Sequence, residues 1–189
     1  MTLHEDQESV LRDVTERFER LTIAYMLTGS MAMAKYAIMR MTTDLDIVLE
    51  MNESDGQRVI DEFEPDYYVP HGRVFRAISG RSMFNILHQT SLVKVDCVLL
   101  KETEFQKTAF ANRQKVDFAG FDVWVIGKED LVLSKLSWAK DSRSEVQMRD
   151  VASIIRNGVD EGYVNLWAKR LGLEDILSDC TRMLKTNAD

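Results

Sequence analysis

The chain has 189 residues, 45% hydrophobic and 29% charged, with a net charge of −7. That is globular composition, long enough to bury a core without staples, and it excludes disordered and collagen-like classes. Two cysteines, Cys97 and Cys180, stand far apart with no CxxC pair, which argues against a disulfide framework or zinc cluster and for a reducing cytoplasm. The charged amino-terminal stretch lacks the apolar core of a signal peptide, and no apolar run is long enough to span a membrane. A soluble, cytoplasmic protein is expected. Charge is uneven: between His71 and Lys115 eight Lys/Arg face three acids, Asp96, Glu102 and Glu104. A basic middle attracts polyanions, yet the acidic whole argues against an extended nucleic-acid footprint, and a solvated face accounts for it equally.

Val10, Leu11, Val14, Phe18 and Leu21 recur at helical spacing and predict a helix over 5–21. Residues 23–27 read as a short buried strand ending in Thr28-Gly29-Ser30, and 31–39, rich in Ala and Met, as the helix that follows. Acid and aliphatic residues alternate from Asp44, predicting a strand over 44–49 with one buried face. A helix is expected over 53–63, a break between Pro65 and Pro70, and another helix over 71–78. Strands are predicted over 83–88 and 92–100, a helix near 103–111, and a hairpin over 115–126 centred on Gly120. From Gly127 onward only helical periodicity persists, over 128–140, 143–156, 161–171 and 173–184. The expected architecture is an α/β core over 1–126 with a helical region, 127–189, packed on it.

Chemistry concentrates between Tyr25 and Glu50. Gly29-Ser30 lies where a strand opens a helix: glycine permits a tight turn and close backbone approach, and a helix N-terminus offers N–H groups to an anion. Ser30 either caps that helix or donates to a phosphate oxygen. Asp44 and Asp46, at i and i+2 on a strand, project from one face while Leu45, Ile47 and Leu49 point to the core. Such a pair is either a solvated strand face or a cation site, with Mg²⁺ the usual occupant. Asp96 sits in Leu92-Val-Lys-Val-Asp-Cys-Val-Leu-Leu100, where only Lys94 among its neighbours is polar. It needs a partner, whether a metal, a lysine or an arginine. Three carboxylates from two adjacent strands suit two divalent ions, one to activate an attacking oxygen and one to hold a triphosphate.

Lys135 shares its helix face with Leu131, Val132, Trp138 and Ala139, so it snorkels outward or reaches an acid or phosphate. Asp150 lies between Val146 and Ile154 at i±4. A Lys135–Asp150 pair that staples two helices is one reading and a functional pair the other. No Walker loop, GxSxG elbow or Rossmann fingerprint is present, and His4, His71 and His88 lack metal-ligand spacing.

Gly29-Ser30, Asp44-x-Asp46 fourteen positions after the serine, and Asp96 on a later strand resemble the DNA polymerase β-type nucleotidyltransferase superfamily. The fuller string Gly-Ser-x-Ala…Tyr…Arg-x-Thr-x-Asp-x-Asp is similar to its small bacterial branch, the toxin components of type IV toxin–antitoxin (abortive-infection) systems. The resemblance is strongest over 25–50 and extends more weakly through Asp96 to Lys128. It implies an α/β (α+β) fold with a nucleotidyltransferase-type mixed sheet flanked by helices and followed by a helical region. It further implies Mg²⁺ or Mn²⁺ on Asp44, Asp46 and Asp96, with Asp96 alternatively the base, and Gly29 and Ser30 at the β- and γ-phosphates. Arg40 and Thr42 match the Arg-x-Thr and would steady the triphosphate or the turn, while Lys135 and Asp150 match a functional lysine and aspartate of the C-terminal helices. The expected reaction moves a nucleotidyl group from an NTP to an acceptor hydroxyl or phosphate. The acceptor is either tRNA, in a toxin-like role with an antitoxin partner, or a small molecule of the antibiotic type. A non-catalytic nucleotide-sensing or partner-binding protein on the same fold is the alternative.

Overall fold

Aliphatic runs of strand length separated by amphipathic helices build a central sheet. The computed structural model describes residues 3–37 and 42–186. In chain order the elements are α1 (Leu3–Arg20), β1 (Ala24–Thr28), α2 (Gly29–Met33), β2 (Asp44–Glu50), α3 (Asp55–Phe63), β3 (Tyr67–Tyr68), α4 (His71–Gly80) and β4 (Met83–His88). There follow β5 (Lys94–Leu99), α5 (Glu104–Ala111), β6 (Gln114–Phe118), β7 (Phe121–Val125), α6 (Lys128–Ser142), α7 (Glu145–Arg156), α8 (Glu161–Leu171) and α9 (Glu174–Thr186). Among the described residues the strands form one mixed sheet ordered β3-β4-β5-β2-β1-β7-β6. This is the α/β class expected: a mixed sheet flanked by helices, with four helices at the C-terminal end.

The centre of the sheet fixes the register of everything that matters chemically. β2 runs antiparallel to β1 and parallel to β5, and β4 closes antiparallel on β5. Because side chains alternate along a strand, Leu45, Ile47 and Leu49 of β2 and Val95, Cys97 and Leu99 of β5 share one face, each fully buried. Val10, Leu11, Val14 and Phe18 of α1 belong to the same core. Burial of each such side chain contributes about 1.5–3 kcal/mol. A one-residue slip of either strand would turn that face to water, so the opposite face is fixed just as firmly.

Two local departures from the sequence pattern are informative. The helix expected over 31–39 ends at Met33, and its last hydrogen bonds shift to i−3 partners, as from Ala34 to Met31 and Tyr36 to Met33. The chain is drawn instead towards the later elements: the Tyr36 hydroxyl donates to the Ile126 carbonyl at 2.6 Å, and Asn157 Nδ2 donates to the Tyr36 carbonyl at 2.8 Å. Between the two prolines a two-residue strand, β3, pairs with β4. The β6–β7 hairpin turns through Ala119 and Gly120 at φ of 53° and 84°, the left-handed pair that a two-residue hairpin turn requires. Both thiols are buried, and burial pushes them up, that of Cys180 to about 11, so neither is a nucleophile at neutral pH. Among the described residues no helix is long and apolar enough to cross a membrane.

Candidate active site

The sheet places the predicted acids in one row. Register sets Thr28 of β1 beside Asp46 of β2, Asp46 beside Asp96 of β5, and Asp96 beside Asn85 of β4. One step along, Asp44 stands beside Lys94. The aliphatic neighbours of Asp44, Asp46 and Asp96 are committed to the core, so all three carboxylates project from the other face.

Gly29 follows directly on the end of β1 at φ 66°, a backbone conformation suited to glycine. A Cβ at this position would lie 1.9 Å from Asp46 Oδ2 and 2.6 Å from its Cγ. Backbone and carboxylate are therefore in direct apposition, and any side chain at Gly29 would displace the acid. Ser30 is buried at 6% exposure within α2 rather than ahead of it. The N-cap position falls to Thr28, whose side chain makes no capping hydrogen bond. Thr42 steadies the entry to β2: its hydroxyl donates to the Asp44 carbonyl at 3.4 Å, and its own carbonyl accepts from Gln7 Nε2 at 2.5 Å. Arg40 lies outside the described residues.

Lys94 supplies a cation to the acid row. Its Nζ lies 3.0 Å from Asp44 Oδ2 and 3.1 Å from Asp96 Oδ2, bridging two strands. Burial alone would lower the Lys94 ammonium, but the two carboxylates outweigh it and hold the pKa above the ordinary lysine value. Asn85 Nδ2 donates to the other oxygen of Asp96 at 2.5 Å. Asp46 receives no such contact from Lys94. Burial, reinforced by Asp96 and Asp44, raises its pKa above the usual carboxylate value, with Lys135 and Lys94 acting in the opposite sense. In this arrangement, among the described residues, no three Asp, Glu, His or Cys side chains converge closely enough to hold a metal ion.

Lys135 and Asp150 are brought together, but with each other. Lys135 Nζ donates to Asp150 Oδ2 at 2.7 Å and to Gln147 Oε1 at 3.2 Å, across α6 and α7. Their side chains are 4% and 6% exposed. The geometry is that of a helix staple, and the link to the acid row is through the field of Lys135 at Asp46. Trp138, assigned by pattern to the same apolar face, is 72% exposed. Asn85, between Phe84 and Ile86, was legible by the reasoning applied to Asp96, while the bridging role of Lys94 depends on strand register.

Part of the basic middle is paired in place. Arg81 and Lys107 both pair with Glu102, at 3.5 and 2.6 Å, and Lys115 pairs with Asp122 at 3.2 Å. Arg113 stacks over Phe110 and Trp124, 4.1 and 5.0 Å from the ring centroids.

No protein-family model matches the sequence, and no curated protein is significantly similar to it. Solved structures do match its fold. The lincomycin-bound lincosamide antibiotic adenylyltransferase LnuA shares 16% identity at a TM-score of 0.54, covering 78% of this chain and 97% of that one. An antigenic nucleotidyltransferase-like protein from Paracoccidioides brasiliensis shares 15% at 0.56, covering 90% and 91%. The antibiotic-resistance factor ANT(2'')-Ia shares 10% at 0.53, covering 97% and 96%. At these identities the likeness is one of fold, and the fold is that of the nucleotidyltransferases.

Proposed function

We propose that this chain is a nucleotidyltransferase, moving a nucleotidyl group from a nucleoside triphosphate to an acceptor hydroxyl with release of pyrophosphate. The observation that carries this reading is the acid row, Asp46 and Asp96 in register on β2 and β5 with Asp44 one step away and Gly29 against Asp46. An all-oxygen donor set suits Mg²⁺ or Mn²⁺, and the Lys94 ammonium between Asp44 and Asp96 supports the reading, as a cation held by two of the three acids. Asp44, Asp46 and Asp96 would bind the divalent ion, which when bound supplies neutralisation of triphosphate charge and polarises the acceptor oxygen.

The chain's own residues do the rest. Gly29 and Ser30 are assigned to the β- and γ-phosphates, with Gly29, bare of side chain, leaving room for the Asp46 carboxylate beside them. Thr42 holds the backbone entering Asp44, and Arg40 is assigned to the triphosphate. Asn85 fixes Asp96 Oδ1, and Oδ2, which Lys94 now holds, is the oxygen that would take the acceptor proton once the ammonium has left it. Lys135, anchored by Asp150, favours the ionised form of Asp46 and so keeps it competent as a ligand. A small-molecule acceptor fits best, because LnuA and ANT(2'')-Ia are antibiotic-modifying or antibiotic-resistance proteins and the net charge of −7 disfavours an extended polyanion surface. Transfer to tRNA in a toxin-like role, opposed by an antitoxin, would instead show as growth arrest on induction that requires Asp44.

A nucleotide-sensing or partner-binding protein without transfer is the second reading. It is favoured by Asp96 having both oxygens engaged, by Asn85 and Lys94. The deciding experiment titrates ATP, CTP, GTP and UTP with Mg²⁺ into wild type and an Asp44→Ala/Asp46→Ala variant by calorimetry. Labelled nucleotide is then followed onto a panel of hydroxyl acceptors that includes lincomycin and tobramycin. Triphosphate binding lost in the variant, with pyrophosphate release on an acceptor, is expected. Equal affinity in both proteins would refute the site, and binding without transfer would favour the second reading.

A further inference from the structure

We propose that Lys94 is a tethered counterion, occupying the acid row in the metal-free protein and leaving it when a divalent cation binds, so that metal loading is an exchange of ammonium for metal. The inference rests on the acid row being a cation site, the reading proposed above. Lys94 is the first residue of β5, two positions before Asp96 and therefore on the same face of the strand, and its partner in register is Asp44. Its Nζ reaches both carboxylates at 3.0 and 3.1 Å. The loop before it carries Leu92 at φ 57° and 67% exposed, so the β5 entry faces solvent.

Exchangeability follows from exposure and charge. The Lys94 side chain is 38% exposed, which leaves it a solvated position to swing into, whereas Lys135 at 4% is locked between Asp150 and Gln147. An ion pair at this exposure is weakly held. One positive charge also leaves three carboxylates undercompensated, and Asp46 is the acid the ammonium does not touch. A divalent cation carries twice the charge and prefers several oxygen ligands, so in place of the ammonium it would draw Asp46 in beside the two acids that Lys94 now bridges. Lys94 thus keeps the row folded when metal is scarce and sets how much metal is needed to displace it.

The test is Mn²⁺ titration by calorimetry into wild type, Lys94→Met and Lys94→Arg. Removing the competing ammonium in Lys94→Met should tighten Mn²⁺ about fivefold or more, from the loss of two partly exposed ion pairs. A guanidinium, which forks across two carboxylates, should weaken it in Lys94→Arg. Should Lys94→Met fail to fold, wild type answers alone. Acylation of Lys94 by an amine-reactive ester, read by mass spectrometry against Lys101 and Lys107, should rise when Mn²⁺ is added. Mn²⁺ affinity unchanged in Lys94→Met, or Lys94 labelling unchanged while Mn²⁺ is bound, would overturn the exchange and leave the cation site standing. Absence of Mn²⁺ binding to every protein at millimolar concentration would remove the cation site itself and the exchange with it.

Discussion

Gly29 offers the sharpest test of the site's construction, because one added methyl group has a computable fate. In Gly29→Ala the new Cβ would fall 1.9 Å from Asp46 Oδ2, 2.6 Å from Cγ and 2.8 Å from Cβ. Contacts this short cannot persist, so the Asp46 side chain must rotate or β1 and β2 must separate. Overpacking of this kind costs about 1–3 kcal/mol. The φ of 66° adds a second, independent cost of about 1–2 kcal/mol for any residue with a Cβ. The two give roughly 2–5 kcal/mol, measurable by urea denaturation. An Asp46→Gly background separates them, since it removes all three contacts but leaves the backbone strain. A double-mutant cycle should return a coupling of about 1–3 kcal/mol, the clash term. Mn²⁺ affinity should fall in Gly29→Ala, since the acid is displaced. A Gly29→Ala cost below about 0.5 kcal/mol, or one unchanged by Asp46→Gly, would refute the direct apposition of backbone and carboxylate.

Two further outcomes follow from the electrostatics. Asp46 has its pKa raised in the fold by burial and by Asp96 and Asp44, so the native state binds more protons than the unfolded chain from the ordinary aspartate pKa up to the raised one. Stability contributed by this group therefore falls as pH rises through that window and stays low above it. Asp46→Asn should accordingly stabilise the chelator-treated protein by about 0.5–2 kcal/mol at neutral pH, flatten that acidic-range dependence, and abolish stabilisation by Mn²⁺; thermal melts against pH would show it, and a variant no more stable than wild type at pH 7 would contradict it. Lys135→Met removes the buried hydrogen bond to Asp150 Oδ2, a loss of about 1.5–3 kcal/mol. Urea melts would show it, and a Lys135→Met cost under about 0.5 kcal/mol would show that the staple is not structural.

How far the sequence reached can be read from particular residues. Strand and helix placement followed from periodicity: the 83–88 strand and the hairpin around Gly120 lie where alternation and turn chemistry put them. Asp44 and Asp46 stand out in the sequence as like charges at i and i+2 on one strand face, and Asp96 as an acid in an apolar strand that demands a partner. What alternation cannot carry is the offset between strands. Whether Lys94 or a metal answers Asp96 depends on β2 and β5 being parallel and in register at Asp46, and that is a tertiary fact. The early end of α2 has the same origin, since local propensity favours helix through the Ala and Met run while Tyr36 is claimed by the Ile126 carbonyl. Trp138 shows the converse error, a large apolar residue at core spacing that the fold leaves exposed.

The acid row is held together by the face it does not share. Like charges at contact range repel by roughly 1–4 kcal/mol per pair between bulk-water and near-surface screening, and nothing on the polar face outweighs that for Asp46. The opposing face does. Leu45, Ile47, Leu49, Val95, Cys97 and Leu99 are fully buried, and burial of large aliphatic side chains at about 1.5–3 kcal/mol each exceeds the repulsion several times over. None of the acids can relax by changing register, since a slip would expose that aliphatic set and bury the carboxylates. Core packing thus concentrates negative charge on the two central strands and leaves it short of countercharge, with Lys94 answering Asp44 and Asp96 but not Asp46. A cation able to reach all three lowers the free energy of the folded state by relieving a repulsion that the hydrophobic face imposes. Affinity at the row is therefore set from behind the sheet: enlarging a cavity beneath β2, as in Ile47→Ala, should loosen the register, ease the raised pKa of Asp46 and weaken Mn²⁺ binding without touching any ligand.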